Sequence, residues 1–190
     1  MSSNGSLLTP DFFDRSTLIV SRELLGMRLV RNLGGKRVSG IITETEAYIG
    51  ETDLGSHAKA GLTARTKVMY GPPGHAFVYF TYGNHWMLSA VTEEVGFPAA
   101  VLLRAIQPTE GIEIINANRN GRDTKGPGKL TQALEINKDF NEIDLCSISS
   151  GLWIEKGTPI PDKNVTIAPR VGLFSVPEPW KSKPWNFQVK

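Results

Sequence analysis

Residues 41–82 read IITETEAYIGETDLGSHAKAGLTARTKVMYGPPGHAFVYFTY, an apolar-to-acidic strand followed by a loop and by a second strand crowded with aromatic residues. In a regular strand alternate side chains share a face, which here would carry Ile42, Glu44, Glu46 and Tyr48. Residues 55–92 contain no aspartate or glutamate. A pair of carboxylates therefore lies next to a segment without negative charge.

The pattern of the whole chain predicts an α+β fold. Strands are predicted at residues 27–32, 37–48, 76–82, 85–91, 99–106, 152–156, 165–168 and 171–174, with tight turns at Gly34-Gly35 and Gly83-Asn84. Helices are predicted at residues 16–25, 63–69, 111–118 and 129–136. Without βαβ alternation, we expect one domain over residues 1–190, with a largely antiparallel β-sheet core, surrounding helices and a protruding β-hairpin. Residues 1–6 are expected to form a flexible tail.

The composition indicates a globular protein. The 190 residues are 40% hydrophobic and 21% charged, with a net charge of +2. This charge is compatible with a polyanionic partner. The single Cys146 excludes an internal disulfide and favours a reducing compartment. Because there is no apolar run of membrane-spanning length and no secretory signal, we expect a cytoplasmic protein without a membrane partner.

Glu44 and Glu46 are candidates for acid–base chemistry. Two carboxylates on one strand face repel each other, and burial would make one of them a useful general base near neutral pH. The alternative is an ordinary solvated strand face. The alternating pattern does not distinguish between the two glutamates.

The predicted hairpin carries aromatic residues on both faces. Alternation directs Phe77 and Tyr79 to one side and Val78, Phe80 and Tyr82 to the other. Tyr82 lies directly before the turn, where it fits either a cross-strand contact or a wedge inserted between base pairs. If Tyr82 is a wedge, the basic residues around it would contact phosphates. If Tyr82 makes a cross-strand contact, these basic residues are ordinary solvated surface. These residues are Lys59, Arg65, Lys67, Arg119, Arg122, Lys125 and Lys129.

Arg104 interrupts the apolar strand predicted at residues 99–106. A buried guanidinium keeps its charge and needs a partner, for which Glu46 is a candidate. The alternative is that Arg104 lies at a strand end and reaches solvent. Three histidines without ligand spacing and one cysteine do not form a zinc site, so no metal and no cofactor are expected. The helix opening at residues 126–129 lacks Walker spacing and fits either a phosphate contact or a capped structural helix.

Several sequence blocks occur in the order found in one known family. They are SRELLG (21–26), ETEAY (44–48), His57, TARTKVMY (63–70), FVYFTYGNH (77–85), VLLRAIQPTEG (101–111), GPGKLTQALEIN (126–137), PRVGL (169–173) and a PW-containing tail. With these blocks the chain resembles the alkyladenine (3-methyladenine) DNA glycosylases of bacterial type. The resemblance extends from about residue 7 to residue 187.

This resemblance implies a base-excision-repair N-glycosyl hydrolase. Such an enzyme flips alkylated or deaminated purines (3-methyladenine, 7-methylguanine, hypoxanthine, ethenoadenine) out of duplex DNA and hydrolyses the N-glycosidic bond. By motif match, Glu46 would activate the attacking water, and Arg104 and the Val171 backbone would help to hold that water. The base pocket would be formed by Tyr48, His57, Tyr79 and Ser89. Contacts with the duplex would come from Tyr82, in the hole left by the base, and from Arg65, Lys67 and Lys129.

The chain departs from the family pattern at two positions. Ser89 stands where many members have Asn, and the tail reads PWNF (184–187) where PWRF is commoner, which removes one charge. No lysine matches a Schiff-base position, so the resemblance implies a monofunctional enzyme without strand cleavage. We expect a nucleoid-associated monomer whose partner is double-stranded DNA with damaged purines.

Two other functions are compatible with parts of the sequence. One is a non-catalytic nucleic-acid-binding module that recognises distorted duplexes. The other is hydrolysis of free nucleosides, which would leave Tyr82 and the basic segments unexplained.

Overall fold

A computed structural model describes residues 5–81 and 83–190. Its helices are α1 (Pro10–Phe13), α2 (Thr17–Glu23), α3 (Ile112–Arg119) and α4 (Pro127–Ala133). Its strands are β1 (Arg28–Leu33), β2 (Lys36–Ile49), β3 (Ala76–Thr81), β4 (His85–Val91), β5 (Ala99–Glu110), β6 (Leu152–Glu155), β7 (Val165–Ala168) and β8 (Asn186–Val189). Short 3₁₀ helices occur at His57–Ala60, Lys67–Tyr70, Lys138–Phe140, Ile148–Ser150 and Asp162–Asn164.

The strands of the described residues form one antiparallel sheet. Six of them follow the order β3-β4-β5-β2-β1-β6, and β8 pairs with β2 and with β7. The 14-residue β2 is the longest strand: β5 pairs along one edge, while β1 and then β8 pair along the other. The predicted single α+β domain with an antiparallel sheet and a hairpin is confirmed.

The main hydrophobic core joins the helices to the sheet. Val20 and Leu24 of α2 and Leu130 of α4 belong to the same buried cluster as Ile42 and Leu103 of the central strands. Each fully buried aliphatic side chain contributes roughly 1.5–3 kcal/mol relative to exposure. The other face of β2 and β5 carries polar residues. The packing of the helices on the first face therefore fixes the position of those polar residues.

Strand β2 is irregular at its two acidic residues. Its register with β5 shifts between Ile42 and Glu44 and again between Glu44 and Thr45. A bulge changes which side of the sheet the following residues face. Ile42 therefore lies in the main core, while Glu44 and Glu46 contact Arg104. The expectation that Ile42 shares a face with the glutamates is wrong because the strand is not regular there.

Four local predictions differ from the structure. Gly83 and Asn84 form a turn, but the pair next to it is Thr81 with His85, so the turn is not closed as the predicted two-residue hairpin. The helix predicted at residues 63–69 is a turn at residues 64–66 followed by the 3₁₀ helix Lys67–Tyr70. Residues 171–174 form turns rather than a strand, because Gly172 has a φ of +85° and the Val171 N–H bonds a side chain instead of a neighbouring strand. Strand β8 lies in the C-terminal tail, where no strand was predicted.

Both ends of the described part of the chain are joined to the sheet, and residues 1–4 of the predicted flexible tail lie outside the described residues. The Ser6 carbonyl accepts a hydrogen bond from the Lys156 N–H at 2.8 Å, next to the bridge between Leu7 and Glu155. At the other end, β8 pairs with residues Glu44 to Glu46 of β2. Within residues 5–81 and 83–190, no helix has the length and apolar character needed to cross a membrane.

Candidate active site

A cavity of about 320 Å³ opens between the β3–β4 hairpin, strands β2 and β5, and residues 171–173. Its lining includes six of the residues singled out in the sequence, namely Tyr48, His57, Tyr79, Ser89, Arg104 and Val171. The tertiary structure thus brings together side chains from five separate segments of the chain. A concave site with aromatic walls and a few polar groups is typical of small-ligand recognition.

Glu46 is fully buried next to this cavity and accepts four hydrogen bonds. Its Oε2 accepts from the Tyr48 hydroxyl at 2.9 Å and from Arg104 Nη1 at 3.3 Å. Its Oε1 accepts from the Val171 N–H at 2.7 Å and from Asn186 Nδ2 at 3.0 Å. Because a carboxylate has about four lone-pair sites, these donors stabilise its charged form and fix its orientation.

Glu44 has a different environment. It is 9% exposed, and its Oε1 accepts from Arg104 Nε at 2.7 Å and from Asn186 Nδ2 at 2.9 Å. Glu46 contacts three cavity-lining groups, whereas the hydrogen bonds of Glu44 include only one, from Arg104. The geometry therefore separates two glutamates that the alternating pattern left equivalent.

Arg104 lies in the middle of β5 and links both carboxylates. Its side chain is 12% exposed, so the alternative of a solvent-facing strand end is wrong, and the predicted pairing with Glu46 is confirmed. Burial lowers the pKa of Arg104, but the charges of Glu46 and Glu44 outweigh this effect and leave the pKa raised. The guanidinium is therefore a permanent cation beside the two glutamates.

The Tyr48 hydroxyl remains a hydrogen-bond donor at all physiological pH values. Burial, together with the negative charge of Glu46, raises the pKa of Tyr48 well above 10. A protonated phenol is consistent with the 2.9 Å bond that Tyr48 donates to Glu46.

A buried ion pair holds the segment that carries Val171, and sequence reasoning missed it. Arg170 Nη1 lies 2.6 Å from Asp53 Oδ2, and both side chains are completely buried. The guanidinium also lies over the rings of Tyr48 (4.6 Å) and Trp185 (5.0 Å). Asp53 and Arg170 are 117 residues apart in sequence, so no local pattern could have paired them.

The aromatic wall comes from β3 and from the 3₁₀ helix that begins at His57. Tyr79 stacks on Phe77 with a centroid distance of 4.8 Å, and His57 meets Tyr79 edge-on at 4.7 Å. Phe80 is 44% exposed and packs on Trp86 instead. The alternation predicted for this strand is thus confirmed for its described residues.

His57 provides a pH-dependent stability that can be measured. Burial, followed by the positive charges of Arg65 and Lys59, lowers the pKa of His57 to about 4 from its ordinary 6.5. As the pH falls from 6.5 towards 4, the unfolded chain takes up a proton that the folded protein does not bind. We therefore expect the free energy of unfolding to decrease over this window.

The expected decrease should be smaller in His57→Gln, which has no titrating side chain at this position. Urea unfolding of both proteins between pH 7 and pH 4 measures the difference. Identical pH dependence in the two proteins would contradict suppressed protonation of His57.

The predicted DNA-contacting residues differ in their surroundings. Arg65 is exposed, lies 5.3 Å from the Tyr79 ring centre and donates to the Phe80 carbonyl, so it borders the aromatic wall. Lys67 pairs with Glu142 at 3.1 Å, and Lys129 pairs with Asp123 at 3.1 Å. These surface pairs are weak and leave both lysines accessible. Tyr82, the predicted wedge, lies outside the described residues.

Two further positions correspond to the departures from the family pattern. Ser89 is 3% exposed and lines the cavity from β4. Asn186, the N of PWNF, bridges Glu44 and Glu46 through its side-chain amide. The sequence marked position 186 as unusual without indicating its neighbours.

Comparison with known proteins gives a consistent result. Residues 11–190 match the family described as Methylpurine-DNA glycosylase (MPG). Relatives named "Putative 3-methyladenine DNA glycosylase" from Methanocella arvoryzae, Myxococcus xanthus and Carboxydothermus hydrogenoformans are 46%, 44% and 42% identical to this chain. The alignments cover 97%, 96% and 97% of this chain and 92%, 90% and 95% of those relatives. The similarity seen in the motifs is therefore confirmed over almost the full length.

Proposed function

We propose how this chain, which belongs to the methylpurine-DNA glycosylase family and is a DNA glycosylase, carries out its reaction. It flips alkylated or deaminated purines out of duplex DNA and hydrolyses their N-glycosidic bond with a water activated by Glu46. The expected lesions are 3-methyladenine, 7-methylguanine, hypoxanthine and ethenoadenine. The observation that carries the proposal is a buried carboxylate, bonded to Tyr48, Arg104 and Val171, beside an aromatic cavity.

The water site follows from the hydrogen bonds of Glu46. All four acceptor positions are occupied, and the 3.3 Å bond from Arg104 is the longest of them. A water placed between Arg104 and Glu46 Oε2 replaces only this longest bond. Arg104 keeps its 2.7 Å bond to Glu44. The backbone of Val171, bonded to the other oxygen of Glu46, borders the same site.

The reaction is then a simple displacement. One proton of the water passes to Glu46, the water oxygen bonds to C1′, and the electron pair of the N-glycosidic bond leaves with the base. An alkylated purine such as 3-methyladenine carries a positive charge and leaves as a neutral base. A positioned general base therefore supplies most of the rate acceleration that the enzyme needs, typically about 10²–10⁴-fold.

The cavity fits an extruded purine. Stacking on aromatic side chains contributes about 1–3 kcal/mol per base and offsets the few kcal/mol of unstacking. Tyr48, His57 and Tyr79 line the cavity. Because the lowered pKa keeps His57 neutral above pH 4, it does not repel a cationic base. Ser89 also lines the cavity, and we propose that it contacts the base.

Duplex binding completes the proposal. We assign Tyr82 as the wedge that fills the space left by the base, and Arg65, Lys67 and Lys129 as phosphate contacts. Among the described residues that line the cavity there is no lysine, which supports hydrolysis without a Schiff-base step.

The test is incubation of the protein with duplex oligonucleotides that each contain one of the four lesions, with the undamaged duplex as control. We expect release of a damaged base and an abasic strand that breaks only after alkali treatment. Tight binding without base release would favour the nucleic-acid-binding module. Strand breakage before alkali treatment would contradict the monofunctional reaction.

A further inference from the structure

Asn186 occupies a central position between the two glutamates. It lies on β8 directly opposite Glu46 of β2 and is 4% exposed. Its Nδ2 donates to Glu44 Oε1 at 2.9 Å and to Glu46 Oε1 at 3.0 Å. An amide NH₂ group has two hydrogens, so this one group serves both carboxylates.

The ionised side chains that contact each other around Asn186 carry one more negative charge than positive charge. Glu44 and Glu46 bring two negative charges to a buried site, and Arg104 supplies one positive charge. Like charges at close range repel strongly in a low-dielectric interior. The amide of Asn186 reduces this repulsion by donating to both carboxylates, and it adds no charge.

The bridge also sets the geometry of the water site. Glu44 anchors Arg104 through the 2.7 Å bond to Nε, and Asn186 fixes Glu44 relative to Glu46. When a water enters between Arg104 and Glu46, these bonds limit how far the guanidinium and the carboxylate can move apart. Small displacements of catalytic groups are costly in rate.

We propose that Asn186 is a positioning residue, which holds Glu46 and the Glu44–Arg104 pair at the spacing that the attacking water requires. This inference rests on the proposed role of Glu46 as the base. Asn186 acts through the two carboxylates and is not assigned any contact with DNA.

The variant that tests this role is Asn186→Leu, which keeps the approximate volume and removes both donors. We expect base release under single-turnover conditions to slow by about 10- to 100-fold, the range for losing a hydrogen bond to a charged group. Affinity for the lesion duplex should be unchanged. The loss should therefore appear in the maximal single-turnover rate and not in the enzyme concentration that gives half of that rate.

Two comparisons exclude a merely structural effect. Gln188→Leu alters an exposed residue of the same strand and should leave the rate of base release and the affinity unchanged. In a Glu46→Gln background, Asn186→Leu should slow base release by no more than a small additional factor, since the group that Asn186 positions can then no longer accept the proton of the water. If Asn186→Leu does not fold, Asn186→Ser, which is smaller and keeps a donor for at most one carboxylate, is measured in its place and should show an intermediate loss.

The outcomes separate this inference from the proposed function. A Glu46→Gln protein that excises at the wild-type rate would overturn both. If Glu46→Gln is inactive while Asn186→Leu keeps the wild-type rate of base release, only the role of Asn186 is wrong.

Discussion

Replacement of Glu46 by glutamine should slow base release by roughly 10²–10⁴-fold, the usual contribution of a general base. Glutamine has the same shape and can still accept a hydrogen bond from the Val171 N–H, but it cannot take a proton from water. Binding to the lesion duplex should be retained, because Glu46 is completely buried and does not line the cavity. Single-turnover kinetics measures the rate, and fluorescence anisotropy with the same duplex measures the affinity.

Glu44→Gln is the matched control for this experiment. Glu44 belongs to the same strand and shares Arg104 and Asn186 with Glu46, but it lacks the bonds from Tyr48 and Val171. We expect its replacement to slow base release less than the replacement of Glu46. A larger loss in Glu44→Gln would assign the role of general base to Glu44. A wild-type rate in Glu46→Gln would contradict the proposed mechanism.

The second large effect is expected for stability. Asp53→Asn should lower the free energy of unfolding by about 3–5 kcal/mol, the cost of leaving a buried charge without its partner. Both members of the Asp53–Arg170 pair are 0% exposed, and the guanidinium is enclosed by Tyr48, Trp185 and the Ala47 carbonyl. Urea unfolding monitored by tryptophan fluorescence measures the change.

Asp162→Asn is the control, because Asp162 pairs with Arg22 while its side chain is 97% exposed. Removing an exposed pair should change stability by at most about 1 kcal/mol. Similar losses in the two variants would mean that the Asp53–Arg170 pair does not hold this part of the fold.

Since Arg170 precedes Val171, base release in Asp53→Asn should also be slower at temperatures where the variant remains folded.

Local features of the fold could be predicted from the sequence. The patterns of residues 37–48 and 76–91 identified β2 and the hairpin, and the pair Gly34-Gly35 marked the first turn, because these signals depend on neighbouring residues only. The bulge after Ile42 was not predicted, since it depends on the pairing of β2 with β5. Strand β8 was missed because its four residues form a strand only by pairing with β2 and β7.

The residues of the candidate site could be predicted from the sequence, but the contacts between them could not. The carboxylates, the aromatic strand and Arg104 stood out in the sequence as residues that need a chemical explanation, and the family motifs pointed to Glu46. The bond from Val171, which distinguishes Glu46 from Glu44, joins residues 125 positions apart, and the bonds from Asn186 to the two glutamates join residues 140 and 142 positions apart. No periodicity extends over such separations.

The sequence by itself determined the class of fold, the family and the residue types from which a site could be built, because hydrophobic patterns and motifs are local properties. Only the tertiary structure decided that Glu46 accepts hydrogen bonds from Tyr48 and Val171, and that Arg104 and Asn186 bond to both carboxylates. The physical reason is that a buried charge is stabilised by whichever donors the packed chain brings within hydrogen-bond distance. For residues 41–82, the chemistry of the two glutamates therefore depends on residues near the other end of the chain.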